Sequence, residues 1–364
     1  MKVLNLCSYY NDKFYEKMID AQIRNKVETL VYYPRKKQTR FDRESEYVIS
    51  TEIFDSLDKF FFNRKINKSY GKLTKMIEVN SYDCVHAHTV FSDGAVALKL
   101  KSEYNLPYVV SVRNTDVNFF FKYRFLQWRK GLEILKNARY IICLSSTYKD
   151  KILETCKKRN VNINDINIIE KKIRIITNGI DDFFLENQFT QVSALNQKIS
   201  ILTVGEISKR KNQLKVCEAI QKLNFECEYT IIGKIKDKSY FKKIIGYKFV
   251  KHVPFLEKKE LLEYYRNSDV FILPSLTETF GLVYVEALSQ NMPIIYSENE
   301  GFDRQFEDGL VGKSVKSLDS IDIKEKIEFI LENKNSFDKN FINARKFSWD
   351  VITRKQVALY QTMR

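Results

Sequence analysis

From Leu273 to Tyr296 the chain reads LPSLTETFGLVYVEALSQNMPIIY. The pattern predicts a strand ending at Leu273, a turn, and a helix that begins near Thr279 and closes at Asn291 and Pro293. Such a turn presents the backbone N–H groups of Phe280, Gly281 and Leu282 at a helix N-terminus, where the macrodipole also favours anions. Gly281 puts no side chain in the way of a phosphate or a sugar. Two carboxylates accompany the turn, Glu278 just before the helix and Glu286 about two turns further in. A carboxylate accepts hydrogen bonds from two adjacent hydroxyls, which suits a ribose or a hexose. Each has a plainer reading. Ser275 and Glu278 have the S-x-x-E spacing of a capping box, and Glu286 can be a solvated helix residue.

Other polar groups fall at the ends of expected strands. In DCVHAHTVFSDGAVALKL, His86 and His88 close a strand and Gly94 opens a helix. His88 either faces a ligand, on the acceptor or the donor side, or is a satisfied structural ring. The run Arg113-Asn114-Thr115-Asp116 follows the next strand, with Arg113 and Asp116 placed either to meet a ligand or to pair with each other. None of the three histidines makes a metal set, and the six cysteines show no C-x-x-C pair. Reduced thiols in a cytosol are expected.

Glu278 and Glu286, with seven residues between them, framed by P-S-x-x-E-T-F-G and followed by E-A-L-S, resemble the donor-binding signature of glycosyltransferase family 4. Three further stations agree in order and spacing over most of the chain. Asn178-Gly179-Ile180-Asp181 is similar to the family's N-G-I-D turn, Val204-Gly205 with Lys211-Asn212 to its phosphate-binding loop, and Phe347-Ser348-Trp349 to the start of its terminal helix, which crosses back to the first domain. The resemblance implies a GT-B fold and retaining hexosyl transfer from a nucleotide-diphosphate sugar to a glycan or lipid-linked acceptor, as in capsule or O-antigen synthesis. It implies that Glu286 binds the donor ribose, that Glu278 with Phe280, Gly281 and Leu282 holds the transferred sugar, and that Lys211 beside Gly205 neutralises the diphosphate. No metal and no cofactor is implied, because basic side chains and the helix N-terminus stabilise the leaving group.

The sequence departs from the family's pattern at three places. Gly205-Glu206 stands where many members have Gly-Arg, so the missing cation is sought at Lys209, Arg210 or Arg113. Arg113-Asn114 stands where many have His-Gly, and Ser8-Tyr9-Tyr10 replaces a glycine pair after the first strand.

The elements that must position these residues follow from the rest of the sequence. Short β-branched runs alternate with helical patterns, as in parallel α/β architecture. Strands are predicted at Val3–Leu6, Thr29–Tyr33, Asp83–His86, Tyr108–Val112, Tyr140–Leu144 and Ile173–Ile176. After a gap they resume at Ile199–Val204, Tyr229–Ile232, Phe249–Val253, Val270–Leu273 and Pro293–Tyr296. With 364 residues, the expectation is two doubly wound Rossmann-like domains facing a cleft. Residues 1–182 form an acceptor-side domain, 183–197 a linker, 198–346 the nucleotide-sugar domain, and 347–364 a returning helix.

Hydrophobic residues at 44% and charged residues at 29% describe a globular chain. No apolar run reaches the roughly 18 residues of a membrane span, and the N-terminus has no signal-peptide pattern. The formal charge of +15 calls for anionic partners or serves solubility. Basic and aromatic residues interleave at Lys59–Lys75 and Phe119–Lys130, a mixture suited either to peripheral contact with anionic membrane or to a helix with a solvated basic face. A nucleic-acid-binding protein is the rival of another class, but no helix-turn-helix, RNP-like or zinc-finger pattern supports it. A protein that only binds or epimerises a nucleotide sugar is the nearer alternative.

Overall fold

The computed structural model describes residues 1–41, 45–121, 125–190 and 198–363. The chain divides into two units, Met1–Thr177 with Trp349–Arg364, and Asn178–Ser348.

In the first unit the described strands are β1 (Lys2–Leu6), β2 (Glu28–Lys36), β3 (Val48–Phe54), β4 (Cys84–Ala87), β5 (Tyr108–Ser111), β6 (Tyr140–Cys143) and β7 (Ile173–Ile175). They form one parallel sheet in the order β3-β2-β1-β4-β5-β6-β7. Val85, Val109, Val110, Ile141 and Ile142 are almost wholly buried, because helices cover both faces of a parallel sheet. The chain builds outward from β1 to β3 and then restarts on the other side of β1, so the strand order reverses between β1 and β4.

The second unit repeats the plan with β8 (Ile199–Val204), β9 (Cys227–Ile232), β10 (Val250–Val253), β11 (Val270–Leu273), β12 (Ile294–Ser297) and β13 (Gly312–Val315). Their order is β10-β9-β8-β11-β12-β13, with the reversal between β8 and β11. At a reversal the two following loops diverge and leave a crevice beyond the strand ends, where ligands of such sheets bind.

Two strands escaped the sequence reading, β3 and β13. Both lie at a sheet edge. Edge strands bury less, so VISTEIF and GKSV lack the continuous apolar run that marks a central strand.

The linker expectation also needs correction. Residues Asp182–Glu186 form a short helix capped by Asp181, whose carboxylate accepts the Phe183 N–H at 3.2 Å. Phe184 is buried, and the Phe189 N–H donates to the Ser289 carbonyl at 3.2 Å. This stretch is therefore packed structure of the second unit, because Phe184 is buried and Phe183 and Phe189 are partly so. Residues 191–197 of the expected linker lie outside the described residues.

The final helix, Trp349–Gln361, belongs to the first unit. Trp349, Ile352 and Tyr360 join the core formed with Met18 and Ile19 of the helix Lys13–Arg24. Trp349 meets Phe14 edge-on with ring centroids 5.1 Å apart.

Candidate active site

In the second unit the loops after β8 and β11 are joined across the reversal point by hydrogen bonds. The Leu276 N–H donates to the Arg210 carbonyl at 2.8 Å, Arg210 Nη1 to the Thr277 carbonyl at 2.9 Å, and Asn212 Nδ2 to the Pro274 carbonyl at 3.0 Å. Asn212 takes a left-handed conformation (φ 63°), which turns the chain from the Lys209–Lys211 turn into the helix Gln213–Ile220. Lys211 and Glu278 meet at the centre, Nζ to Oε2 at 2.5 Å, with only 11% and 12% of their side chains exposed. Gly205 lies under the Lys211 stem. A Cβ there would stand 3.6 Å from Lys211 Cε.

Glu206, where the sequence resemblance led to the expectation of a cation, is itself neutralised. Arg210 Nη2 lies 3.2 Å and Lys236 Nζ 3.3 Å from its carboxylate. Burial pushes the Glu206 carboxyl up, but Arg210 and Lys236 outweigh it, so the group sits below the ordinary glutamate range. Arg210 is thereby divided between Glu206, Thr277 and, at 3.8 Å, Glu278.

The helix after β11 is Leu282–Ser289, three residues later than the expected start. The cause is twofold. Gly281 caps it at φ 76°, where a Cβ would strike Tyr284 Cε2 at 2.5 Å, and the backbone of Glu278 is held elsewhere. The Glu278 N–H donates to Glu300 Oε2 at 2.8 Å and its carbonyl accepts from the Gly301 N–H at 2.7 Å. Ser275 Oγ lies 3.5 Å from Glu278 Oε2, but the helix cap is Gly281, so the capping-box reading of Ser275 and Glu278 is set aside. The Phe280 ring is buried against Phe302 and Phe347, which leaves its backbone as the part able to meet a ligand.

Glu286 is partly buried on the helix Leu282–Ser289 and accepts a 3.0 Å hydrogen bond from Tyr265 Oη. Burial pushes its carboxyl up to about 7, against the smaller opposing pull of Tyr265 and Lys258. The solvated-residue reading does not hold for it.

The polar residues of the first unit behave differently. His88 is wholly buried, with Nε2 2.9 Å from Asn5 Oδ1 and its ring 4.0 Å from that of His86. His86 bridges Tyr360 Oη at 2.6 Å and Ser111 Oγ at 2.8 Å. Burial holds His86 down at about 3 and His88 well below its ordinary value, so both rings are neutral at pH 7. The two rings belong to a core network that ties β1 and β4 to the terminal helix, in which the buried His88 Nδ1 has no hydrogen-bond partner among the described residues. Asp116 is buried as well and accepts the backbone N–H groups of Arg113 at 2.9 Å and Val90 at 3.2 Å. Burial raises its carboxyl to about 7. Arg113 Nε donates to the His88 carbonyl at 3.2 Å, and its guanidinium lies 5.5 Å from the Tyr15 ring centre.

The sequence reading missed four residues at the second-unit site: Gly233, Tyr265, Glu300 and Gly301. A Cβ on Gly233 would lie 2.1 Å from the Gly205 carbonyl oxygen, and one on Gly301 would lie 1.9 Å from that of Thr279. A glycine after each strand was visible, but the partner backbone was not. An open pocket of about 570 Å³ lies beside Gly205 and Gly233, lined also by Lys234, Phe255, Leu256 and Leu261. Among the described residues no group of three or more His, Cys, Asp or Glu side chains is arranged to hold a metal, and all six cysteines are buried.

Two parallel sheets, one with an anion-receptive pair of loops at its reversal point, define a double Rossmann-like α/β protein. Comparison with known proteins gives the family. Residues 14–182 match the model described as Glycosyltransferase Family 4, and residues 186–347 the model described as Glycosyl transferases group 1. The chain carries these two domains in succession and is a glycosyltransferase of the GT-B fold. It is 25% identical over 296 residues to the uncharacterized glycosyltransferase MJ1178 of Methanocaldococcus jannaschii, covering 76% of this chain and 74% of that protein. It is 29% identical over 255 residues to the alpha-monoglucosyldiacylglycerol synthase of Acholeplasma laidlawii, covering 63% and 62%. Anabaena HepE, solved with UDP-glucose, superposes with a TM-score of 0.68 at 15% identity over the full length of both chains.

Proposed function

We propose that this glycosyltransferase moves a hexose-type sugar with retention from a nucleotide-diphosphate donor to a glycan or lipid-linked acceptor in the synthesis of a bacterial surface polysaccharide. One observation carries the reading: the joined loops at the β8–β11 reversal place a shielded lysine and a shielded carboxylate side by side, next to the backbone of Phe280–Leu282. In this reading Lys211 meets the diphosphate, Glu278 and the backbone N–H groups meet the sugar, and Glu286 accepts from the ribose hydroxyls. The pocket between Gly233 and Phe255 receives the base. Arg210 is our further cation for the departing diphosphate.

The acceptor oxygen then attacks the anomeric carbon from the face that the phosphate leaves. The bond from that carbon to the phosphate oxygen breaks, and the acceptor's proton passes to the departing phosphate. No protein nucleophile is needed. Lysine and the helix N-terminus supply the charge stabilisation that a metal ion gives elsewhere. Support for the donor class comes from the UDP-glucose bound by HepE, and for a lipid-linked acceptor from the name of the Acholeplasma relative.

A thermal-shift screen of UDP-, GDP- and ADP-sugars tests the donor assignment. A ligand at a hundred times its Kd stabilises by about 2.7 kcal/mol, so one nucleotide class should raise Tm well above the others. A flat screen would sink the donor reading. Stabilisation with neither transfer to lipid or glycan acceptors nor donor hydrolysis would favour a protein that only binds or epimerises.

A further inference from the structure

Glu286 is held in place by a buried residue from outside its own helix. Tyr265 lies on the helix Lys258–Arg266, whose start is fixed by a capping box between Glu257 and Glu260, so that Leu261, Leu262 and Tyr265 face inward. The Tyr265 ring is almost wholly buried between Phe184 and Phe271, with centroids 6.3 and 6.0 Å away. Its hydroxyl ends on Glu286 Oε2 at 3.0 Å. Burial, and then the neighbouring Glu286 carboxylate, keep the phenol well above its ordinary range, so it stays a hydrogen-bond donor at every working pH.

The same helix carries Lys258, which pairs with Asp181 of the N-G-I-D turn. Arg266, at the other end, donates through Nε to Gln290 Oε1 at 3.0 Å and through Nη2 to the Asn187 carbonyl at 2.8 Å. The segment 181–187 thus fastens the helix Lys258–Arg266 beside the helix Leu282–Ser289.

We propose that Tyr265 is a positioning residue for donor binding: its hydroxyl fixes one oxygen of Glu286 and stabilises the ionised carboxylate that the ribose hydroxyls require. The proposal rests on the reading of Glu286 as the ribose-binding carboxylate. A protonated carboxyl has one oxygen occupied by hydrogen and accepts poorly from a pair of hydroxyls, so donor affinity depends on ionisation. Tyr265 donates to Glu286 directly and the Lys258 charge acts on it without a direct bond, and both favour the charged form against burial. The sign follows. Donor affinity rises with pH as Glu286 ionises near 7, and removing the Tyr265 hydroxyl moves that rise to higher pH.

The experiment is calorimetric titration, from pH 6 to 9, with whichever of UDP, GDP and ADP stabilises the wild-type protein most. Four proteins are compared: wild type, Tyr265→Phe, Lys258→Met and Glu286→Gln. Glu286→Gln lacks the titrating carboxyl, so its profile is the baseline and contains the titration of the nucleotide phosphate. Tyr265→Phe keeps the ring and its packing. Its midpoint should lie about one pH unit higher, since a hydrogen bond to a charged group is worth about tenfold or more. Its affinity should therefore be about fivefold weaker at pH 7 and should converge on wild type by pH 9, a recovery that a packing defect would not show. Lys258→Met, on a more exposed side chain, should move the midpoint in the same direction by less, and it keeps the test open if Tyr265→Phe does not fold. Unmoved midpoints in Tyr265→Phe and Lys258→Met, beside a weakened Glu286→Gln that keeps only the nucleotide's own titration, would overturn the role of Tyr265 and leave the ribose assignment intact. Wild-type affinity and pH dependence in Glu286→Gln would overturn the ribose assignment itself.

Discussion

At the scale of single residues, Lys211 and Glu278 are assigned to different parts of the donor, yet without donor each is the other's partner at 2.5 Å. Breaking a fully buried pair by removing one member costs about 3–5 kcal/mol, because the remaining charge stays desolvated. Here roughly a tenth of each side chain reaches solvent, and Arg210 stands 3.8 Å from Glu278 as a second cation. Lys211→Met should therefore destabilise by less than that, about 1–3 kcal/mol. Glu278→Gln should cost a similar amount, since it strands the lysine. The double variant should be more stable than the sum of the two losses, because it leaves neither charge alone. Chemical denaturation of the four proteins measures this coupling, and strict additivity would contradict a paired ground state. Nucleotide binding separates the two roles. Lys211→Met should lose affinity for the free nucleoside diphosphate, whereas Glu278→Gln should keep most of it and lose discrimination between donor sugars.

At the scale of elements, the proposed donor site depends on where backbone meets backbone. The segment after β12 clamps Glu278 through Glu300 and Gly301, and a Cβ on Gly301 would stand 1.9 Å from the Thr279 oxygen and 2.6 Å from that of Glu278. Both obstacles are main chain and cannot rotate aside. Gly301→Ala should therefore displace Glu278 and lower kcat/KM by roughly a hundredfold, the cost of a misplacement near 1 Å. Gly71, inside the helix Phe62–Leu73, is the control. Nothing lies within 4 Å of its Cβ position, so Gly71→Ala should raise stability by about 0.5–1 kcal/mol and leave activity alone. Equal activity in both variants would show that the clamp does not position Glu278.

The central strands were legible because they are buried on both faces and read as short apolar runs. Glu278 and Gly281 of the β11 loop, and Glu286 on the helix after it, could also be singled out, because hydroxyl binding and a tight turn restrict residue types there. Glu300, Gly301 and Tyr265 were not legible, since their meaning comes from contacts with chain 20 or so residues away. The helix start was misplaced for the same reason: Glu300 and Gly301 hold Glu278 outside the helix that Ser275 and Glu278 locally suggest.

At the scale of the whole molecule, the charge of +15 and the exposed aromatic residues pose the question of membrane contact. No helix among the described residues is long and apolar enough to cross a bilayer. One face of the first unit nonetheless exposes Leu57 at 54%, Phe60 at 70% and Phe61 at 58%. They border an open groove of about 870 Å³ that also takes in Arg64, Arg129 and Lys130. Part of the charge there is already spent, since Arg64 and Lys68 pair with Asp55 and Asp58 and Lys130 with Glu133. Of the second basic-aromatic segment, Lys122, Tyr123 and Arg124 lie outside the described residues. The aromatic tip is therefore the stronger half of the case, with the net positive charge setting the lipid preference. If this face docks on lipid, the protein should sediment with vesicles containing anionic lipid more than with neutral ones. Binding should fall as salt rises and the Debye length shrinks from about 10 Å at 0.1 M to about 3 Å at 1 M. Phe60→Ser with Phe61→Ser should weaken sedimentation at every salt concentration, because it removes the apolar part that screening does not touch. Its soluble-acceptor activity should stay at the wild-type level. Equal sedimentation with neutral and anionic vesicles, or none with either, would assign the charge to solubility and leave the lipid-linked acceptor without a docking surface.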